Sequence, residues 1–249
     1  MNNFIKMQGL GNKFVVLSGP LDLSAAEVIA YCKQFGDEPA DGVLVVSPLT
    51  EHSVKMKYWN ADGTLAEMCG NGLRCVVRFA IDSKMVQPGE LIVKTDAGDL
   101  KGIWDGNNPS QIEVQVGKAN VSTTPLELFG KQFFEVNVGN PHAVTFVDDL
   151  DTAPVKTLGP EVENNSRFPH RTNVEFVVVE GNNEISLRTW ERGVGETLAC
   201  GTGMVAAANV AVTLKNKTFP LIVNVLGGKA KVWLDEAGYT RMIGPAELV

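Results

Sequence analysis

The hydrophobic positions along the chain predict short strands and a few helices, arranged twice in the same order. The strand-like apolar runs lie at 14–17, 43–46, 54–59, 143–147, 174–179 and 184–190. After the third and the sixth run comes a turn of the form Cys-Gly-x-Gly, followed by an apolar segment at about 71–83 and about 202–216. Because these segments are apolar on most sides, each is predicted to be a buried helix.

An internal repeat accompanies this order of elements. Cys69 in LAEMCGNG aligns with Cys200 in ETLACGTG at an offset of 131, and the same offset aligns Trp59 with Trp190. Two further matches, at offsets of 128 and 132, relate Gly11-Asn12 to Gly139-Asn140 and residues 41–46 to residues 173–178. Matches in one order at nearly one offset indicate a duplicated chain.

The predicted fold is α/β, with two pseudo-symmetric domains that each wrap a strand-rich sheet around one central helix. The turn-rich stretch WDGNNPS at 104–110 lies near the midpoint and is expected to mark the boundary. Residues 239–249 have no counterpart inside the second half and are expected to return to the first. The predicted domains are therefore 1–107 plus 239–249, and 108–238.

Composition and charge restrict the partners. Hydrophobic residues make up 44% of the 249 residues, charged residues 20%, and the formal net charge is −7. This balance is typical of a globular protein, and an acidic chain without a basic run is a poor ligand for nucleic acid or anionic membranes. The chain shows neither the ~20 consecutive apolar residues of a membrane span nor a signal sequence. We therefore expect a cytoplasmic protein with no nucleic-acid or membrane partner.

The four cysteines are expected to be free thiols in a reducing compartment. They form no Cys-x-x-Cys motif and no tight cluster with histidine, so no metal site is predicted. The glycine-rich motifs of nucleotide-binding loops are also missing, and no cofactor is predicted. Cys32 and Cys75 have apolar neighbours in predicted helices and are expected to be core thiols.

The two Cys-Gly-x-Gly turns place Cys69 and Cys200 at the starts of buried helices. Backbone N–H groups at a helix start are unused by the helix and carry the positive end of its dipole. Both thiols are therefore expected to have a lowered pKa. The same N–H groups are suited to binding a carboxylate. They belong to Gly70, Asn71 and the turn at Leu73 in the first half, and to Gly201, Thr202 and Gly203 in the second.

Two such thiols would suit the inversion of a stereocentre. If the halves pack face to face, Cys69 and Cys200 would flank one cleft. One thiolate would then remove an α-proton and the other thiol would deliver a proton to the opposite face, while the helix starts stabilise the carbanion through its carboxylate. His142 and Glu191 are candidates for the neighbours that set thiol protonation. His52 and His170 are expected in exposed or loop segments.

The longest motifs resemble those of the diaminopimelate epimerase family. They are KMQGLGNKF at 6–14, NADGTLAEMCGNGLRC at 60–75, NVGNPHAV at 137–144, RTNVEF at 171–176 and ERGVGETLACGTG at 191–203. The resemblance runs from about residue 4 to the last residue. It implies cofactor-independent interconversion of LL- and meso-diaminopimelate by a two-thiol mechanism, in lysine and peptidoglycan precursor synthesis. It also implies two pseudo-symmetric domains with the active site between them, and a homodimer.

The resemblance assigns roles residue by residue. Cys69 and Cys200 match the catalytic pair, and His142 and Glu191 match the residues beside the thiols. The expected substrate contacts are Asn12, Asn60, Gly70, Asn71, Asn140, Asn173, Glu191, Arg192, Gly201 and Thr202. Diaminopimelate carries a second amino-acid group at its far end, for which a guanidinium and amide or carboxylate side chains are suitable partners.

Three positions depart from the family pattern. Lys13 stands where members usually carry Asp, Gln8 where many carry His, and Gly42 where some carry Gln. Because neighbours on a strand alternate faces, Lys13 is expected to point to solvent. These departures concern substrate preference rather than proton transfer.

Two alternatives stay open on the sequence. A racemase of another amino acid would keep both thiols without needing Asn60, Asn173 and Arg192, so their presence argues against it. A non-catalytic binding or thiol-redox protein would be expected to have lost a thiol or its partner, although two opposed thiols could also form a disulfide.

Overall fold

Within residues 3–66 and 68–249, which the computed structural model describes, one series of elements occurs twice, in the order β-β-α-β-β-β-α-β-β. The first series is β1 (Phe4–Gly9), β2 (Asn12–Ser18), α1 (Ala25–Cys32), β3 (Gly42–Thr50), β4 (Ser53–Asn60), β5 (Leu65–Ala66), α2 (Gly70–Asp82), β6 (Gly89–Thr95) and β7 (Gly98–Trp104). Three strands follow, β8 (Ile112–Gly117), β9 (Asn120–Val121) and β10 (Leu126–Leu128). The second series is β11 (Lys131–Asn137), β12 (Pro141–Phe146), α3 (Val155–Glu163), β13 (Asn173–Val179), β14 (Glu184–Glu191), β15 (Gly195–Thr197), α4 (Gly201–Leu214), β16 (Leu221–Val225) and β17 (Gly228–Leu234). The last strands are β18 (Thr240–Gly244) and β19 (Glu247–Leu248).

The strand pairing repeats together with the element order. In the first series β2 is parallel to β3 and β4 is parallel to β6, and in the second β12 is parallel to β13 and β14 to β16. Trp59 lies opposite Val43, and Trp190 lies opposite Val174. Both pairs are therefore related by an offset of 131, which corrects by one residue the offset inferred for residues 41–46. The predicted duplication is confirmed.

Each series surrounds one buried helix. In α2 every residue from Gly70 to Ile81 is buried except Arg78, and in α4 every residue from Gly201 to Ala211 is buried. A helix that is apolar on most sides can be stable only when strands cover it all round. The strands supply β-branched and aromatic side chains on the faces that pack on it. The predicted α/β fold with a central helix in each half is confirmed.

The chain divides into two compact units, Met1–Gln115 with Ile243–Val249, and Val116–Met242. β19 pairs with β1, so the last residues of the chain belong to the first unit. The turn at 104–110 joins β7 to β8, which pair with each other, and this places it inside a hairpin. The boundaries proposed from the sequence at 107 and 238 stay predictions.

The helix α1 begins at a capping box formed by Ser24 and Glu27. The Glu27 N–H donates to Ser24 Oγ (3.4 Å), and the Glu27 carboxylate accepts from the Ser24 N–H (2.8 Å). These reciprocal bonds satisfy backbone donors that the helix leaves unpaired. Among the described residues, no helix is long and apolar enough to cross a membrane.

Candidate functional site

Cys69 is the N-cap of α2, and its own backbone is extended. The first helical hydrogen bond runs from the Leu73 N–H to the Cys69 carbonyl oxygen (2.7 Å). The N–H groups of Gly70, Asn71 and Gly72 therefore precede the helical hydrogen bonds. This is the local structure that the sequence predicts for holding a carboxylate.

The Cys69 thiol belongs to a short polar chain that ends at Asp41. The thiol donates to Asn12 Oδ1 (3.5 Å), and Asn12 Nδ2 donates to Asp41 Oδ2 (2.6 Å). The same carboxylate oxygen accepts from the Lys13 backbone N–H (2.7 Å). Because one carboxylate holds both the amide and the backbone beside it, Asn12 has a fixed orientation toward Cys69. Asp41 is absent from the predicted site.

A buried arginine supports the same helix start. Arg74 is fully buried on α2, where its Nη2 donates to Asn71 Oδ1 (2.8 Å) and its Nε donates to the Pro245 carbonyl oxygen (2.8 Å). Burial lowers the pKa of Arg74 to about 10. The Arg74 guanidinium therefore fixes the side chain of Asn71, a role that the sequence pattern does not predict.

Two of the departures from the family pattern have structural explanations. Lys13 Nζ forms an ion pair with the exposed Glu38, in accord with the expected surface position. A Cβ atom on Gly42 would overlap the Trp59 carbonyl oxygen, so a larger residue would need the adjacent strand to move. Position 42 therefore cannot supply a glutamine contact in this chain.

Asn60 and Gln8 bond to their local surroundings. Asn60 Nδ2 donates to Thr64 Oγ1 (3.0 Å) within the turn that follows β4. Gln8 Nε2 donates to the carboxylate of Glu247 (2.9 Å), which joins β1 to β19. Asn60 thus ends its strand in a defined turn.

Cys200 is the N-cap of α4 and is buried. Its sulfur accepts from the Gly203 N–H (3.4 Å) and lies 3.5 Å from Thr202 Oγ1. The pKa of the thiol is raised well above its ordinary value, first by burial and then by the charges of Glu191 and Glu175. The prediction of a lowered pKa is therefore wrong for Cys200, because the helix start does not compensate for lost hydration and two carboxylates.

Glu191 ends β14 beside Cys200. Its Oε1 accepts from Thr197 Oγ1 (2.5 Å). Burial raises the pKa of Glu191, and hydrogen bonds from Thr197 and Cys200 offset part of this rise. A buried carboxyl group in hydrogen-bond contact with a thiol is placed to exchange a proton with it.

His142 lies in a buried hydrogen-bonded series on β12. Its Nδ1 is 2.8 Å from Glu175 Oε1, and its Nε2 is 3.0 Å from Asn140 Oδ1. Asn140 Nδ2 then donates to Thr202 Oγ1 (3.2 Å), the hydroxyl that lies beside Cys200. Both side chains of the His142–Glu175 pair have no exposed surface.

Asn173 holds the turn that carries Arg192. Asn173 Nδ2 donates to the Pro141 carbonyl oxygen (2.9 Å), and its Oδ1 accepts from the Arg192 N–H (3.0 Å). The Arg192 guanidinium is exposed and donates to the His170 carbonyl oxygen (3.2 Å). Both polar atoms of the Asn173 amide are therefore bonded to backbone.

Glu163, at the end of α3, anchors the same turn. Its buried carboxylate accepts from Trp190 Nε1 (2.7 Å), from the Gly193 N–H (2.8 Å) and from Arg171 Nη1 (3.1 Å). The carboxylate thus fixes the Trp190 side chain before Glu191 and the Gly193 backbone after Arg192. Glu163 is thus part of what positions these side chains.

The structure brings many of the predicted residues together within each unit. In the first unit these are Asn12, Cys69, Gly70 and Asn71. In the second unit they are Asn140, His142, Glu191, Cys200, Gly201 and Thr202, with Asn173 joined to Arg192. The sequence did not single out Asp41, Arg74, Glu163 and Glu175. Only Glu175 carries a sequence signal, a lone charge within the apolar run NVEFVVV.

The remaining cysteines and histidines lie outside these clusters. Cys32 and Cys75 are buried, and burial raises their pKa values to about 11 and about 12. His52 and His170 are exposed, as expected. Within residues 3–66 and 68–249, no group of three or more His, Cys, Asp or Glu side chains is arranged to hold a metal ion.

Solved structures of low sequence identity share this fold. A phenazine biosynthesis protein of the PhzF family from Bacillus anthracis superposes with a TM-score of 0.74 at 16% identity, over 99% of this chain and 96% of that one. A probable proline racemase from Agrobacterium radiobacter K84 gives a TM-score of 0.75 at 13% identity, over 99% and 90%. The chain therefore has the duplicated fold of these proteins.

The sequence relatives narrow this class to one family. The family model described as diaminopimelate epimerase matches residues 4–122 and 134–249. Proteins named diaminopimelate epimerase are 36% identical in Moorella thermoacetica, over 98% of this chain and 96% of the relative, and 38% identical in Ectopseudomonas mendocina, over 99% and 96%. The chain belongs to the diaminopimelate epimerase family and is an isomerase.

Proposed function

We propose that this protein interconverts LL- and meso-diaminopimelate without a cofactor, in the synthesis of lysine and of peptidoglycan precursors. The observation that carries the proposal is the same in both units. Cys69 and Cys200 each cap a buried helix, and the N–H groups of the next three residues come before the first backbone hydrogen bond of that helix. In the proposed reaction, one thiolate takes the α-proton and leaves its electron pair on the α-carbon. The other thiol gives its proton to the opposite face and becomes the thiolate.

The proposed carboxylate partners are the backbone N–H groups of Gly70 and Asn71 and those of Gly201 and Thr202. Charge that develops on the α-carbon spreads into the adjacent carboxylate, so donors aimed at the carboxylate stabilise the carbanion. The Arg74–Asn71 bond and the Asn140–Thr202 bond support this role, because each keeps a cradle residue in place.

In the resting protein we assign the proton to Cys200. Burial and two nearby carboxylates raise its pKa, which favours the thiol. Glu191 and His142 are proposed as the groups that help this thiol to lose and regain its proton. Cys69 then acts as the base for the isomer that presents its α-hydrogen to the first unit.

The far amino-acid group of diaminopimelate is assigned to Arg192, Asn12, Asn60 and the Glu191 carboxylate. A guanidinium binds a carboxylate, and amide or carboxylate oxygens accept from an ammonium group. Asn173 contributes through the Arg192 backbone that it holds.

The test is incubation of the reduced protein with LL-diaminopimelate in D₂O, with NMR following the α-hydrogen and the isomer ratio. We expect deuterium to enter the α-carbon of the meso product as it accumulates. Lysine and proline serve as comparison substrates. Lysine lacks the far carboxylate, and proline has a ring in place of the open chain and no far group. Faster turnover of either one would replace the proposal with a racemase of another amino acid, and no exchange on any amino acid would favour a non-catalytic protein.

We also propose that the protein works in the cytoplasm as a homodimer, which its family membership supports. Light scattering coupled to size-exclusion chromatography tests the second part. A mass near twice 26.8 kDa is expected, and a monomer at working concentration would contradict it.

A further inference from the structure

We propose that Glu175 is a positioning residue: its buried carboxylate keeps both ring nitrogens of His142 protonated and thereby fixes the donor direction of a hydrogen-bonded chain that ends on the Cys200 sulfur. The catalytic relevance of this chain rests on the proposed function. The chain itself is a property of the second unit and is open to measurement without substrate.

The chain is continuous from the carboxylate to the sulfur. Glu175 Oε1 is 2.8 Å from His142 Nδ1, and His142 Nε2 is 3.0 Å from Asn140 Oδ1. Asn140 Nδ2 is 3.2 Å from Thr202 Oγ1, which is 3.5 Å from Cys200 Sγ. Glu175, His142 and Thr202 are all buried.

The chemistry of each link sets its direction. Both ring nitrogens of His142 face oxygen atoms, Glu175 Oε1 and Asn140 Oδ1. With Glu175 ionised, as the proposal holds, and Asn140 oriented as in the structure, both nitrogens donate and the ring is the imidazolium form. The Asn140 amide accepts with its oxygen and donates with its nitrogen to Thr202. The Thr202 oxygen has then accepted one hydrogen, and its own hydroxyl hydrogen is left to donate to Cys200 Sγ.

The sulfur consequently receives two donors, the Thr202 hydroxyl and the Gly203 N–H. Donors to the sulfur favour the thiolate and oppose the effect of burial. The charged groups that act on Cys200 are Glu191 and Glu175, and His142 acts on Glu191; the three side chains lie on three neighbouring strands. The chain gives the buried thiol a route to ionise when the reaction needs it.

The first unit lacks this device. At the shared offset of 131, Glu175 corresponds to Leu44, and Gly203 corresponds to Gly72. Leu44 packs on Gly72 just as Glu175 packs on Gly203. A leucine therefore satisfies the packing at this place in the fold, so packing alone does not require a carboxylate there.

The Glu175 carboxylate also has a desolvation cost, which a side chain that served only packing would not have. Glu175 Oε2 is buried and has no hydrogen-bond partner. A buried carboxylate oxygen that no other protein group pairs costs free energy of desolvation, which a leucine at this place would not.

The test compares the wild-type protein with Glu175→Leu and Glu175→Gln. Leucine has a precedent in Leu44, and glutamine keeps the size, so circular dichroism and thermal melting are expected to show folded proteins for at least one of them. In the wild type, NMR of the protected imidazole is expected to show two ring N–H signals from His142. The exposed His52 and His170 lose their ring hydrogens to water too fast to interfere. The glutamine variant should show a single ring N–H signal, because a neutral amide no longer stabilises the imidazolium.

The second readout is the pH dependence of alkylation by iodoacetamide, measured for each cysteine by peptide mass spectrometry, with Cys69 as the internal reference. We expect the Cys200 midpoint to move up by about one pH unit in Glu175→Leu, with Cys69 unchanged. If Glu175 acted only through its negative charge, its removal would move the midpoint down. A downward or absent shift, or a single His142 ring N–H in the wild type, would overturn the proposal.

Turnover of diaminopimelate is the third readout. We expect kcat to fall by about 10²-fold in Glu175→Leu with little change in KM, because an acid–base group loses its orientation. A wild-type protein that does not turn over diaminopimelate but shows the two ring signals and the shifted midpoint would reject the proposed function and keep the role of Glu175.

Discussion

Replacing Gly203 with alanine probes how closely the first turn of α4 packs on Glu175. A Cβ atom on Gly203 would lie 2.7 Å from Glu175 Oε1 and 3.1 Å from the Cys200 Cβ. At the equivalent Gly72, the nearest atom is the Leu44 Cδ2, at 3.3 Å. The alanine at 203 must therefore displace a hydrogen-bonded carboxylate, while the alanine at 72 meets the end of an aliphatic side chain.

The expected magnitude follows from the bond that is lost. A hydrogen bond to a charged group contributes about 1.5–3 kcal/mol, and the His142–Glu175 bond would have to break or lengthen. Alanine in place of glycine gains at most ~1 kcal/mol of helix propensity, at either position. Because both variants share that gain, the difference between them isolates the contact. Gly203→Ala is expected to unfold with a free energy about 1.5–3 kcal/mol below that of Gly72→Ala.

Urea unfolding of the two variants, followed by circular dichroism, measures this difference directly. Turnover is expected to fall further in Gly203→Ala than in Gly72→Ala, because Glu175 is then out of place. Equal stability of the two variants would refute the close approach of Glu175 to Gly203, and equal turnover would refute its link to the reaction.

Three further perturbations have defined outcomes. Cys69→Ala or Cys200→Ala should each abolish epimerisation, since one face of the α-carbon then has no proton carrier; retained inversion in either variant would exclude two-thiol chemistry. Glu163→Gln should raise KM for diaminopimelate more than it lowers kcat, because the turn that carries Arg192 loses its charged anchor; a kinetic profile identical to wild type, at an unchanged melting temperature, would contradict that role. Finally, the free energy of unfolding should fall as the pH rises above about 9, because the unfolded chain releases thiol protons there while the folded state keeps the proton on Cys75, whose pKa is raised to about 12. In Cys75→Ala this slope should be shallower by about one proton, and an unchanged slope would show that the buried thiol is not responsible.

The fold follows from the sequence because its strongest signals are local and repeated. The Cys-Gly-x-Gly turns, the apolar segments after them and the tryptophans at one offset all survive in the structure at the predicted places. Such features depend on a few neighbouring residues. A duplicated pattern then supports each assignment twice.

The candidate site was less predictable, because its support comes from residues far apart in the sequence. Glu175 comes close to Cys200 only because β13 packs on α4. Arg74 bonds to Pro245 only because the last strands return to the first unit. The rule that a helix start lowers a thiol pKa also fails at Cys200. Burial and the carboxylates beside it arise from tertiary structure, which the local motif does not show.

The return of residues 243–249 to the first unit has a consequence for synthesis on the ribosome. Arg74 and Arg78 of α2 hydrogen-bond to carbonyl oxygens at Pro245 and Ala246, partners that are 171 and 168 positions later in the chain. The second unit, Val116–Met242, is contiguous and can fold as soon as it emerges. The bonds from Arg74 to Pro245 and from Arg78 to Ala246 in the first unit can form only after residues 243–249 have been made. The unit whose synthesis begins first is therefore completed last. A nascent chain can form the hydrogen bonds around Cys200 before it can form all those that support the helix start at Cys69.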